Sequence, residues 1–169
     1  LVAAIDKQKK MRAILGLFEG VVTGAADGYG RMTDKPAVTL LHLGPGLANG
    51  LANLHNAKRA RTPLINIVGD HAVDHLKYNA PLTSDIIGVA SPMSDWVRTS
   101  KSPSDLATAG AEAIAISRSY PGSICTVIAP GDHAWGGNAV IAPQIKVSTP
   151  KTISDGDISH AAQKLLGAE

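Results

Sequence analysis

The sequence predicts an α/β fold three layers deep, with a mostly parallel sheet between two layers of helices. Two observations predict it. Short apolar runs alternate with longer helical patterns along the 169 residues, the order that builds parallel sheets through crossover helices. Apolar residues make up 44 % of the chain but aromatics only 4 %, so small and branched side chains form the core, as close helix-on-sheet layers require.

The elements follow in order. Leu1 to Ile5 reads as the tail of a helix, and Met11 to Leu17 as a short apolar strand. Phe18 to Tyr29 is helical in pattern, with Gly30 as its stop. Ala37 to Leu43 is a second strand, met at once by Gly44-Pro45-Gly46. Leu47, Leu51 and Leu54 recur at i, i+4 and i+7, which predicts a helix from Leu47 to Ala60. Leu64 to Val68 is a third strand, opened by Pro63 and closed by Gly69. Asp70 to Leu82 reads as an exposed loop, Thr83 to Ala90 as a short helix and Asp95 to Thr99 as a strand. Ser102 or Ser104 caps a helix that runs to about Tyr120. A buried strand around Cys125 follows. Pro130 to Pro150 is rich in Pro and Gly and reads as an extended linker. Ser154 or Asp155 then caps a last amphipathic helix ending near Leu166.

Composition excludes several classes. A formal charge of +2 is too small for a nucleic-acid footprint. The basic groups Lys7, Lys9, Lys10, Arg12 and Lys58, Arg59, Arg61 read as solvated helix ends or loops. Cys125 stands alone in an apolar run, so it is expected to be an inert core thiol. No apolar run reaches membrane-span length and no signal peptide is visible, so a cytoplasmic location is expected. The chain opens on Leu1 without a methionine, so its true start is expected upstream.

Two glycine-rich segments could carry chemistry. Gly44-Pro45-Gly46-x-x-Asn49-Gly50 lies between a strand and a helix, where unpaired N–H groups and close backbone approach favour a ligand. With Asp70 after the next strand it also suggests a Rossmann-like nucleotide site, although the glycine spacing departs from that fingerprint. A tight connection is the plainer explanation. In the second segment, Glu19 opens a helix beside Leu17, Phe18, Val21 and Val22. It is either a solvated acid favoured by the helix dipole or a carboxyl group held in an apolar cleft and tuned for proton transfer.

The combined segments resemble a known family. Glu19-Gly-x-x-x-Gly-Ala-Ala-Asp-Gly-Tyr-Gly-Arg31, Lys35-Pro-Ala-Val, Gly44-Pro-Gly-x-x-Asn49, Arg61-Thr-Pro-Leu-Ile-x-Ile-Val-Gly69 and Tyr120-Pro-Gly occur in register. Together they are similar to the pyrimidine-binding domain of thiamine-diphosphate-dependent enzymes, in the acetolactate synthase and benzoylformate decarboxylase family. The resemblance runs from about Leu1 to the linker near Pro150. It implies a pyrimidine domain over residues 1–130 that lacks its first strand, a linker over 131–153, and the first helix of an absent middle domain over 154–169.

The resemblance also implies roles. Glu19 would touch N1′ of the cofactor's aminopyrimidine and activate thiamine diphosphate for attack on a 2-oxo acid. His42 is a candidate for proton transfer or for orienting the substrate carboxylate, a packed strand-end histidine being the alternative. Gly44, Pro45, Gly46 and Asn49 would line the pyrimidine site. Asn49, Asn53 and Asn56 share a helical face that would meet the cofactor or a partner, or stay solvated. Asp70 and His71 stand where many relatives place a glutamine, and would face substrate. A metal site from Asp70, His71 and His75 fits no compact ligand spacing.

The diphosphate and Mg2+ would sit on a domain outside this chain, contributed by a second subunit of a homodimer or homotetramer. The resemblance leaves FAD open for the full-length protein. The chain by itself is expected to be inactive. A Rossmann-like oxidoreductase domain and a non-catalytic homologue are the alternatives.

Overall fold

A computed structural model describes residues 1–137, 139–147, 150 and 152–168. After a short helix α1 (Val2–Lys7), the chain forms α2 (Glu19–Thr33), β1 (Ala37–His42), α3 (Leu43–Arg59) and β2 (Leu64–Asp70). A 3-10 turn at Leu76–Tyr78 leads to α4 (Ile86–Ala90), β3 (Trp96–Thr99), α5 (Pro103–Arg118) and β4 (Ile124–Pro130). The short helix α6 (Gly131–Trp135) and the helix α7 (Asp155–Leu166) complete the described elements.

The four strands are all parallel, in the order β1-β2-β4-β3. Strand alternation sends side chains to two faces. Leu41, Leu64, Val68, Ile124 and Ile128 pack with Leu47, Leu54 and Ala57 of α3 and with Ala26 of α2. Ile65, Cys125 and Val127 meet Ala109 and Ala113 of α5 on the other. Helices on both faces of a parallel sheet are the three-layer arrangement that the alternating sequence predicts.

One polar line crosses this core. Thr39 Oγ1 donates to Asn66 Oδ1 at 2.7 Å, and Asn66 Nδ2 donates to Thr126 Oγ1 at 3.2 Å. Thr126 Oγ1 in turn pairs with Ser94 Oγ at 2.7 Å. Thr39, Asn66 and Thr126 face one another in register, so the hydroxyls satisfy an amide that would otherwise be costly to bury.

Several expectations need correction. Met11–Leu17 is not a strand. Its residues form no ladder, and Ile14, Leu15 and Leu17 are 76 %, 87 % and 95 % exposed. An apolar run without a neighbouring strand has no backbone partners to hold it extended. Gly30 does not stop α2. It lies inside the helix because a Cβ there would overlap Thr62 and Pro63, and α2 ends instead at Asp34, in left-handed conformation with φ 53°. The helix expected from Leu47 begins four residues earlier at Leu43, since Pro45 is tolerated in a first turn, where its missing N–H has no partner to lose.

The remaining elements fall close to their expected places. Ser102 caps α5 through the Asp105 N–H at 3.1 Å. Ser154 and Asp157 form a reciprocal capping box at the start of α7. The linker opens with α6 and has no regular structure over 139–147. Among the described residues, no helix is long and apolar enough to cross a membrane. Burial raises the Cys125 thiol to about 12, with Asp95 adding to the effect, which leaves it protonated and inert.

Candidate functional site at the carboxyl edge of the sheet

In an open parallel sheet, each helix that follows a strand begins at the strands' carboxyl edge, and so does each helix that leads down into the next strand. Here that edge gathers His42 at the end of β1, Glu19 at the start of α2, and Gly44 to Asn49 in the first turns of α3. His42 lies level with Gly69, so Asp70 and His71 stand beside it at the end of β2.

Glu19 is held from α3. Asn49 Nδ2 donates to Glu19 Oε2 at 3.1 Å. The other oxygen, Oε1, rests against Gly46, where an added Cβ would come within 3.1 Å of it. The Asn49 hydrogen bond, the Glu19 backbone N–H and the charge of His42 hold this carboxyl below the usual range, outweighing the opposite effect of desolvation. Glu19 is therefore a carboxylate at neutral pH. The carboxylate is half-buried and bonded to Asn49, neither a freely solvated helix-start acid nor one held in an apolar cleft.

The crossing of α2 and α3 is stitched just below. Thr23 Oγ1 lies 3.0 Å from the Gly50 carbonyl, and Asn53 Nδ2 donates to the Gly20 carbonyl at 2.6 Å. Asn53 is thus spent on packing rather than left for a cofactor or partner. Asn56 is exposed and its carbonyl accepts from Arg31 Nη2 at 3.4 Å.

Gly44 is buried against Ser84, whose side chain a Cβ would overlap, so this glycine lets the loop before α4 close over the turn. Pro45 is exposed at the rim, and so is His42. Leu43, between His42 and Gly44, is buried with φ 56°. A branched residue in the left-handed region costs of order 1–3 kcal/mol and marks a backbone held by its surroundings. Nothing in the residue type signals that strain, and neither Thr23 nor Leu43 stands out before the structure is seen.

Asp70 Oδ1 accepts the His71 N–H at 2.7 Å. The His71 ring is tilted against His75 at 5.3 Å between centroids, and its Nε2 is a buried atom with no hydrogen-bond partner among the described residues. Among the described residues there is also no group of three His, Cys, Asp or Glu side chains able to hold a metal ion. The arrangement thus offers one carboxylate anchored by Asn49 against the bare backbone of Gly46, with imidazoles at its margin.

The family follows from comparison with known proteins. Residues 1–89, which contain every residue just described at the edge of β1 and β2, match the thiamine pyrophosphate enzyme N-terminal TPP binding domain, and the chain belongs to that family. It is 56 % identical over 138 residues to the protein provisionally named acetolactate synthase large subunit IlvX of Mycobacterium tuberculosis, covering 82 % of this chain and 27 % of that one. Benzoylformate decarboxylase of Pseudomonas aeruginosa is 32 % identical over 110 residues, 64 % of this chain and 21 % of the relative. The chain therefore spans about a quarter of the length of these relatives. In fold it is similar to the thiamine-diphosphate-dependent 4-hydroxybenzoylformate decarboxylase of Rhodococcus jostii, with a TM-score of 0.82 and 22 % identity over 94 % of this chain and 31 % of that structure. The Rossmann-like alternative is set aside, since its glycines belong to the first turn of α3 and to this family's motif.

Proposed function

We propose that this chain is the aminopyrimidine-binding part of a thiamine-diphosphate-dependent 2-oxo acid decarboxylase or carboligase of the acetolactate synthase type, with Glu19 as its proton-exchanging group. The observation that carries the reading is the Glu19 carboxylate, fixed by Asn49 over the bare backbone of Gly46. Gly46 lacks the side chain that would press on the carboxylate, and an ionised carboxylate fits a ring nitrogen that carries a hydrogen. When bound, the cofactor supplies the carbanion that attacks the 2-oxo acid and the electron sink for the carbon dioxide that leaves.

The chain's own groups do the rest. Asn49 holds Oε2, which leaves Oε1 of Glu19 to take and return a proton at the ring nitrogen. Gly44, Pro45 and Gly46 shape the floor on which the ring rests. His42 stands at the strand end as the group that moves a proton or orients the substrate carboxylate, and Asp70 and His71 border the substrate side. Among the described residues no group of three or more His, Cys, Asp or Glu side chains could hold Mg2+, and this reading places the cofactor's diphosphate and its metal on another domain, supplied by a second subunit of a homo-oligomer. Any flavin site of the full-length protein lies outside this chain.

Residues 1–130 form the pyrimidine domain in this reading, 131–153 the linker, and 154–169 open the next domain; α7 buries none of its residues, in keeping with a helix that packs elsewhere. Replacing Glu19 by Gln in the full-length protein is expected to lower turnover of a 2-oxo acid by about a hundredfold or more while leaving the fold intact. Near-normal turnover would remove Glu19 from the reaction.

A further inference from the structure

At the opposite, amino-terminal edge of the sheet, the last turns of α2, α3 and α5 meet the segments that lead into β2 and β4. With Ala60 to Pro63 just past α3 and with Val147 and Pro150 of the linker, they line an open cavity of ≈ 610 Å³, a size common for small-molecule sites. Arg31, Arg61 and Arg118 line it, with Tyr120, Pro63 and Pro121 as its flat walls. Arg31 is committed to Asp27 at 2.8 Å. Arg61 and Arg118 have no acidic partner within ion-pair distance among the described residues. Asp34 is the acidic residue in the lining, and Lys146 borders an adjoining hollow shared with Arg118.

Helix carboxyl ends attract cations, which accounts for Arg31 on α2 and Arg118 on α5. It does not account for Arg61. The last turn of α3 already carries Lys58 and Arg59. Arg61 lies beyond it, at φ 56°, with its N–H bonded to the Lys58 carbonyl at 3.2 Å and the Thr62 N–H to the Ala57 carbonyl at 2.9 Å. That is the closing position of a Schellman motif, which glycine fills without strain. An arginine thus occupies this point of the cavity's lining against the local backbone preference.

We propose that this cavity binds a phosphate-bearing molecule with a flat ring, of the nucleoside phosphate class. Arg61 and Arg118 grip the phosphate oxygens, as planar guanidinium groups do with paired donors. Tyr120, 76 % exposed, and the two prolines face the ring. The strands between this edge and Glu19 are about 20 Å long at the usual rise per residue, so the ligand does not touch Glu19. The site is separate from the reaction and independent of the function proposed above.

Titration of the full chain with ADP, inorganic pyrophosphate and adenosine, followed by amide and tyrosine-ring NMR shifts, tests this. ADP is expected to bind saturably with shifts at Arg61, Arg118 and Tyr120, and more tightly than either pyrophosphate or adenosine. R61G and R118A are each expected to weaken ADP at least about tenfold, the loss of one charge-assisted contact. R61G should do so without lowering the melting temperature, because it relieves the left-handed strain. No saturable ADP binding, adenosine binding as tightly as ADP, or undiminished binding in both variants would overturn the proposal. Pyrophosphate binding as tightly as ADP would overturn the part played by Tyr120 and the ring.

Discussion

The side-chain amide of Asn49 donates to Oε2 of Glu19 at 3.1 Å, and so joins α3 to the first residue of α2. A helix-start carboxylate by itself is ordinary. Tied to a second helix, with its free oxygen against Gly46, it has a fixed orientation and a fixed charge. Fixed direction is what a proton-exchanging group needs, because misplacement of a reacting atom is costly in rate.

Asn49→Ala removes the largest influence that holds the Glu19 carboxyl low, so its pKa should rise toward the ordinary carboxylate value. A group whose folded pKa is depressed adds stability above its unfolded value, and that contribution is lost as pH falls through the folded value. The variant should therefore be less stable than the parent at neutral pH, with the difference shrinking on acidification through the range below the ordinary Glu value. Carbon-13 titration of the Glu19 carboxyl checks the first expectation, and denaturant unfolding across that pH range checks the second.

Gly46→Ala separates fold from function. In a helix, alanine is favoured over glycine by about 1 kcal/mol, and the new methyl meets chiefly the Glu19 carboxylate at 3.1 Å and the His42 Cβ at 3.5 Å. Stability should be unchanged or slightly higher. In the full-length protein the displaced carboxylate should raise the concentration of thiamine diphosphate needed for half-maximal activity, measured by reconstitution of the cofactor-free protein.

The Thr39–Asn66–Thr126 line predicts a loss that packing alone does not. Asn66→Leu keeps the branched shape but leaves the buried Thr39 hydroxyl without its partner, at a cost of about 1–3 kcal/mol for an unsatisfied group, while Thr126 keeps its pairing with Ser94. The double variant Thr39→Val, Asn66→Leu removes that orphan and leaves the Ser94–Thr126 pair intact, so it should recover part of the loss. Urea unfolding of the single and double variants measures both, and a double variant less stable than the single one would contradict the account.

Much of this was legible in the sequence, for reasons specific to each element. The run from Glu19 to Arg31 and the Gly44 segment stand out because glycine permits close approach and unusual backbone angles while proline fixes φ. The same residues misled at two points. Gly30 looks like a stop but serves close packing on Thr62 and Pro63, and Gly44-Pro45-Gly46 looks like a turn but starts a helix. Asn66 and Thr126 lie in apolar runs and show no sign of being paired, since pairing depends on strand register. Met11 to Leu17 has the composition of a strand, but strand formation needs a neighbour that composition does not supply. His71 and Asp70 draw notice by residue type alone, whereas the strain at Leu43 resides in the backbone.

The central claim is that Glu19 exchanges a proton with the bound cofactor. Its most direct test is the rate at which the C2 proton of thiamine diphosphate exchanges with deuterium on the full-length protein, in the parent and in Glu19→Gln, by quenched-flow NMR. Exchange slowed by about a hundredfold or more in the variant, with the cofactor still bound, is the predicted result. Equal exchange rates in the two proteins would contradict it.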